Sequence, residues 1–148
     1  MKGVKKMDAK TFLFRIEKID MQIINKTIET NRLIEKLKDA AGSITSYNDG
    51  DRVQSSGNVD KMADAVIGYT DLQEELKRYI AEKTAEKNEI IKTIETLPTA
   101  EYDLLYKIYV LGYSLKAVSI QKSCSYSNIT TLHGYALKHL QKVLDGKT

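Results

Sequence analysis

The sequence predicts an all-α protein: a long antiparallel, coiled-coil-like helical hairpin followed by a compact three-helix unit. Three observations carry that expectation. Two stretches of some thirty to forty residues hold apolar side chains at helical spacing with no proline. A loop rich in Gly, Ser, Asn and Asp separates them. The single proline of the 148 residues, Pro98, opens a last third with three short helical patterns and tight breaks.

The first helix follows Asp8, a suitable N-cap. Leu13, Ile16, Ile23, Ile34, Leu37 and Ala41 fall on one heptad frame, and Ile19, Ile24, Ile28 and Leu33 widen the stripe. Gly42 is expected to end it. The loop covers about residues 42–58. A second helix is expected from about Val59 to Leu97, on the heptad positions Met62, Val66, Tyr69, Gln73, Leu76, Ile80, Lys83, Lys87, Ile90, Ile94 and Leu97. The lysines are expected to reach solvent on their apolar stems. Gly68 costs this helix ~1 kcal/mol against alanine.

A two-helix hairpin has a thin core. Pairing of two hairpins into a four-helix bundle is therefore expected, a homodimer with Ile16, Ile23, Leu37, Met62, Val66, Leu76, Ile80 and Ile90 at the interface. The chain then divides into residues 1–97, for oligomerisation or partner docking, and residues 98–148.

Beyond Pro98, Glu101 and Asp103 place negative charge near a helix N-terminus, and Leu104, Leu105, Ile108 and Leu111 form its apolar face. Gly112 reads as its stop. Ser114 caps a second short helix that buries Leu115, Val118 and Ile120. After Ser123-Cys124-Ser125, with Cys124 as a small apolar filler of the turn, a longer helix capped by Ser125 runs through Ile129, Leu132, Ala136, Leu137, Leu140 and Leu144. Two helices joined by such a short turn match the helix-turn-helix pattern, whose second helix enters the DNA major groove. The recognition helix spans about residues 125–142. Tyr126, Ser127, Asn128, Thr130 and Thr131 are the expected base contacts, and Lys116, Lys122, His133, Lys138 and Lys142 the expected phosphate contacts.

Charge distribution agrees. Residues 98–148 hold six Lys+Arg and three Asp+Glu; the whole chain holds 23 and 20, leaving 17 and 17 in the first 97 residues. The formal excess of +3 thus sits entirely on the last third, where a polyanion would bind.

The stretch SLKAVSIQKSCSYSNITTLHGYALKHL resembles the region-4 helix-turn-helix of sigma-70 type factors. It is more closely similar to the small sigma-like late-gene and autolysin regulators encoded by phages of Gram-positive bacteria. Ser114, Leu115, Val118, Ser125, His133, Ala136, Leu137 and Leu140 carry that likeness, and the segment DRVQSSGNVDKM from Asp51 to Met62 extends it. The resemblance implies a transcription regulator working on double-stranded DNA in the host cytoplasm, with RNA polymerase as a possible partner. Three departures stand out. Ala117 and Ser119 replace a glutamate and an alanine, Ser123 replaces a turn glycine, and the recognition helix begins without arginine. Arginine is the commonest guanine contact, so Asn128 is left to read adenine and the threonine methyls to meet thymine. The rival expectation is a protein-interaction module, binding RNA polymerase or a sigma factor on a scaffold that does not itself read DNA.

Other chemistry finds no pattern. There is no phosphate-binding glycine loop and no nucleophile motif, so an enzyme and a cofactor are not expected. One cysteine and two histidines six apart offer no metal-ligand spacing. No apolar run reaches the ~20 residues of a membrane helix.

Overall fold

A computed structural model describes residues 7–45 and 56–146, with side chains described over 7–41 and 60–146. The described residues are helical or turn, with no strand among them. Helix α1 is Ala9–Thr45 and α2 is Ser56–Ile94. Helix α3 is Thr99–Leu105 and continues into a π-helical turn at Tyr106–Val110. Helix α4 is Leu115–Gln121 and α5 is Tyr126–Gly146.

Several boundaries differ from expectation. Helix α1 runs through Gly42 to Thr45, because glycine within a helix only lowers its stability and does not forbid it. Helix α2 starts three residues before Val59 and ends at Ile94, with Thr96 and Leu97 turning back onto Thr93 and Ile94 ahead of Pro98. Most of the expected loop, residues 46–55, lies outside the described residues.

The chain forms two compact units, and their boundary is not at Pro98. Unit 1 joins residues 1–20 to residues 84–148, and unit 2 is residues 21–83. The reason lies in where the apolar side chains are buried. In unit 1, Leu13, Ile16, Ile90, Ile94, Leu104, Leu105, Val118, Ile129 and Leu140 are almost wholly buried. The ends of the two long helices therefore share a core with α3, α4 and α5. Polar contacts tie the same elements. Ala9 N–H donates to Gln141 Oε1 at 2.7 Å, the Phe14 ring meets Tyr109 edge-on at 5.6 Å, and Lys87 pairs with Asp20 at 2.8 Å. Ile16 and Ile90 are 0% and 1% exposed inside this core, so they are not available to a second copy.

In unit 2 the two long helices run in opposite directions: Lys26 lies over the Tyr79 ring, Leu37 against Gly68, and Lys38 over the Tyr69 ring. A Cβ on Gly68 would stand 3.1 Å from Leu37 Cδ1, so the glycine gives Leu37 its place. Ala65 is the buried residue of this part of α2, while Met62 and Val66 are 44% and 50% exposed. Ile23, Leu37, Leu76 and Ile80 are half-buried. Lys83 lies over the Tyr79 ring at 5.6 Å rather than simply reaching water.

Candidate nucleic-acid interface

Local chemistry fixes the ends of α4 and α5. Ser114 Oγ accepts the Ala117 N–H at 3.0 Å, and Ser125 Oγ accepts the Asn128 N–H at 3.0 Å, so both serines cap as expected. Gly112, with φ +82°, turns the chain out of the π-helical turn. Between α4 and α5, Ser123 takes a left-handed φ of 55°, where a side chain is strained and glycine is not. Cys124 is exposed in this turn rather than filling it, its thiol 3.6 Å from the Lys122 carbonyl.

A small core holds the three short helices together: Leu104 from α3, Val118 from α4 and Ile129 from α5, flanked by Ile108, Leu115 and Leu132. Ile129 points inward from the first turn of α5, which leaves the rest of that turn outward. Tyr126, Ser127, Asn128, Thr130 and Thr131 are all exposed. The Thr130 hydroxyl donates back to the Tyr126 carbonyl at 2.8 Å, so its methyl is the part it offers. Ser127, Thr131, Lys138 and Lys142 are spaced by four, seven and four residues and share one outward row of α5. Lys116 is exposed on α4. Among the described residues Lys116, Lys138 and Lys142 have no ion-pair partner.

Two expected phosphate contacts are otherwise engaged. Lys122 pairs with Asp103 at 2.8 Å, and Lys107 grips the same carboxylate at 2.7 Å. Those two ammonium groups, Lys107 first, hold the Asp103 carboxyl below its ordinary value. One aspartate thus pairs with two of the six lysines of residues 98–148. His133 is half-buried, stacked on the Tyr109 ring, with Nε2 3.0 Å from the Tyr109 hydroxyl. Burial, with a smaller push from Lys10, lowers its pKa below 6.5. The ring packs against tyrosine, with its Nε2 engaged by the Tyr109 hydroxyl.

The lowered value gives a testable pH dependence. The unfolded chain binds this proton more readily than the native chain. The stability due to His133 is therefore complete above pH 6.5 and declines as pH falls from there through the lower native value. Thermal melts should show the native chain losing stability over that window relative to His133→Gln, which has no proton to gain.

One pairing has no signal in the sequence pattern. Glu101 is 7% exposed and His139 Nδ1 lies 2.8 Å from both its carboxylate oxygens. Spacing marks Glu101 only as helix-end charge, and its partner lies 38 residues away. Tyr102, Tyr106, Tyr109 and Tyr113, spaced by four, three and four residues, divide in their surroundings. Tyr109 packs against Phe14 and His133, Tyr102 and Tyr106 face each other at 5.7 Å, and Tyr113 is exposed. Ile120, expected in the core, is 70% exposed, and Leu111 is 51% exposed.

Among the described residues no group of His, Cys, Asp or Glu could hold a metal ion, and no helix is long and apolar enough to cross a membrane. No protein-family model, curated protein or solved structure matches the chain.

Proposed function

We propose that α4, its turn and α5 form a helix-turn-helix that binds double-stranded DNA in transcription regulation, of the sigma region-4 kind found in phages. One observation carries this reading: a capped, outward helix end bearing Tyr126, Ser127, Asn128, Thr130 and Thr131, continued along one row by Lys138 and Lys142. Asn128 has the donor and acceptor pair that suits adenine, and the Thr130 methyl suits thymine. Lys116, Lys138 and Lys142 set the register through phosphates. Two paired chains would carry two such helices, matched to two half-sites a whole number of turns apart.

Gly134 fits the same picture. It lies in the middle of α5 between Thr131 and Lys138, and a Cβ there would meet nothing within 4 Å. Among the described residues nothing requires glycine at this point, although it costs the helix ~1 kcal/mol. A close-lying DNA backbone would require it. Gly134→Ala should raise the melting temperature and weaken DNA binding. An unchanged affinity would separate the glycine from recognition.

The second reading, a protein-interaction module, is favoured by a different feature. A surface groove of about 540 Å³ is lined by Ser114, Leu115, Lys116, Ser119, Ile120 and Tyr126, with Ile120 mostly exposed in it. Anisotropy titrations of the full chain against A·T-rich and G·C-rich duplexes at two salt concentrations separate the two. A DNA-binding unit prefers the A·T-rich duplex and weakens with salt. An interaction module binds neither.

A further inference from the structure

We propose that His139, held by the buried carboxylate of Glu101, is a phosphate contact of α5 that takes up a proton when DNA binds. This rests on the DNA-binding reading and adds a pH dependence to it.

The two histidines of the chain are engaged at opposite nitrogens. His133 is held at Nε2 by the Tyr109 hydroxyl and is half-buried against that ring. His139 is held at Nδ1 by Glu101, 2.8 Å from both carboxylate oxygens. A carboxylate accepts, so Nδ1 carries the hydrogen. Glu101 is 7% exposed, so the ring is anchored from the inner side. The His139 side chain is nonetheless 44% exposed. Tyr135, itself exposed, stacks on the ring at 6.4 Å. Among the described residues Nε2 has no hydrogen-bond partner. The bond at one ring nitrogen sets the role left to the other.

The position on α5 matches. Asn128, Tyr135 and His139 are spaced by seven and four residues and share the row beside Ser127, Thr131 and Lys138. Lys142 stands one turn beyond His139. The ring thus flanks the two lysines of α5 that set register through phosphates. Its own row begins at Asn128, the side chain suited to adenine.

Charge decides what the outer nitrogen offers. In the neutral ring Nε2 is an acceptor, which a phosphate oxygen repels. In the cation Nε2–H donates, and a charge-assisted hydrogen bond to phosphate is of the stronger kind. Binding through this ring therefore takes up a proton, and affinity rises as pH falls. The charged groups nearest in the fold are Glu101 from α3 and Lys138 and Lys142 on α5 itself. On α3, Asp103 is held by Lys107 and by Lys122 of α4, and Tyr102 faces Tyr106. From α1, Lys10 bears on His133. Protonation of His133 lowers stability, so it does not supply a gain in affinity.

Anisotropy titrations of the full chain against one duplex, at about pH 6 and about pH 8 over a salt series, test this, with far-UV circular dichroism to confirm helix content. The native chain should bind on the order of tenfold more tightly at the lower pH. Its salt slope should be steeper there by ~0.9, the mark of one more phosphate contact. His139→Gln should show neither change. His139→Lys, a cation at both pH values, should keep the steeper slope at both. Glu101→Gln should shrink the rise, because an amide can donate to Nδ1 and leave Nε2–H on a neutral ring. A native chain with the same affinity and slope at both pH values, or one that shares its rise with His139→Gln, overturns the contact. A rise untouched by Glu101→Gln overturns the positioning role of Glu101. A native chain that binds no duplex at either pH overturns the DNA-binding reading, and this contact with it.

Discussion

Replacing Lys138 and Lys142 together by glutamate is expected to weaken DNA binding on every sequence alike. Both side chains are exposed, share the outward row of α5 with Ser127 and Thr131, and have no ion-pair partner among the described residues. Removing one lysine–phosphate interaction should flatten the dependence of log affinity on log salt by ~0.9. Lys122→Glu should cost more than charge arithmetic implies. It would set a carboxylate beside Asp103, which now binds Lys122 and Lys107 together, so it disturbs the α3–α4 packing as well. Lys138 and Lys142 therefore test the polyanion surface cleanly, and Lys122 does not. Anisotropy titrations across a salt series are the measurement. An unaltered salt slope in the double variant would remove the proposed phosphate contacts.

Leu104→Ala is expected to have the largest effect on stability. Leu104 is fully buried and meets Val118 and Ile129, which makes it the α3 side chain in the core that orients α5. Truncating a buried leucine costs ~2–5 kcal/mol, depending on how far the site collapses. For a chain of this size each kcal/mol lowers the melting temperature by roughly 2–4 °C. The same change should loosen the position of α5, so DNA affinity should fall together with thermal stability. A Leu104→Ala chain that melts like the native one would mean that α3 does not brace the other two helices.

The contrast between these two substitutions shows what the sequence carries by itself. Helix starts were legible because they depend on residues within one turn: Pro98 before α3, and the serine caps Ser114 and Ser125. The buried stripe Ile129, Ala136 and Leu140 was legible for the same reason, since spacing alone puts these side chains on one face. What depends on distant partners was not. The division of the chain within the two long helices goes with Leu13, Ile16, Ile90 and Ile94 being buried in the same unit as Leu104, Leu105 and Leu140, which no local pattern announces. On α2 the heptad frame selected Met62 and Val66, but the small Ala65 faces inward, because close helix contact prefers the lesser bulk. Asp103 with Lys107 has the four-residue spacing of a helical ion pair and was open to recognition. Its second partner, Lys122, and the pairing of His139 with Glu101 were not, and they engage two basic side chains with carboxylates.

Two positions at the α4–α5 turn also acquire structural weight. Ser123 takes a left-handed backbone that favours glycine, at a cost of ~1–2 kcal/mol. With no arginine at the front of α5, Asn128 is the exposed side chain there that offers both an amide donor and a carbonyl acceptor.

Selection of duplexes from a random pool by the full chain, repeated with Asn128→Ala, tests the central claim most directly. Recognition by the front of α5 predicts a short enriched sequence containing adenine, whose preference at one position relaxes in the variant while overall affinity and salt slope change little. A pool that shows no enrichment over many rounds, or an enriched sequence that Asn128→Ala leaves intact at every position, contradicts it.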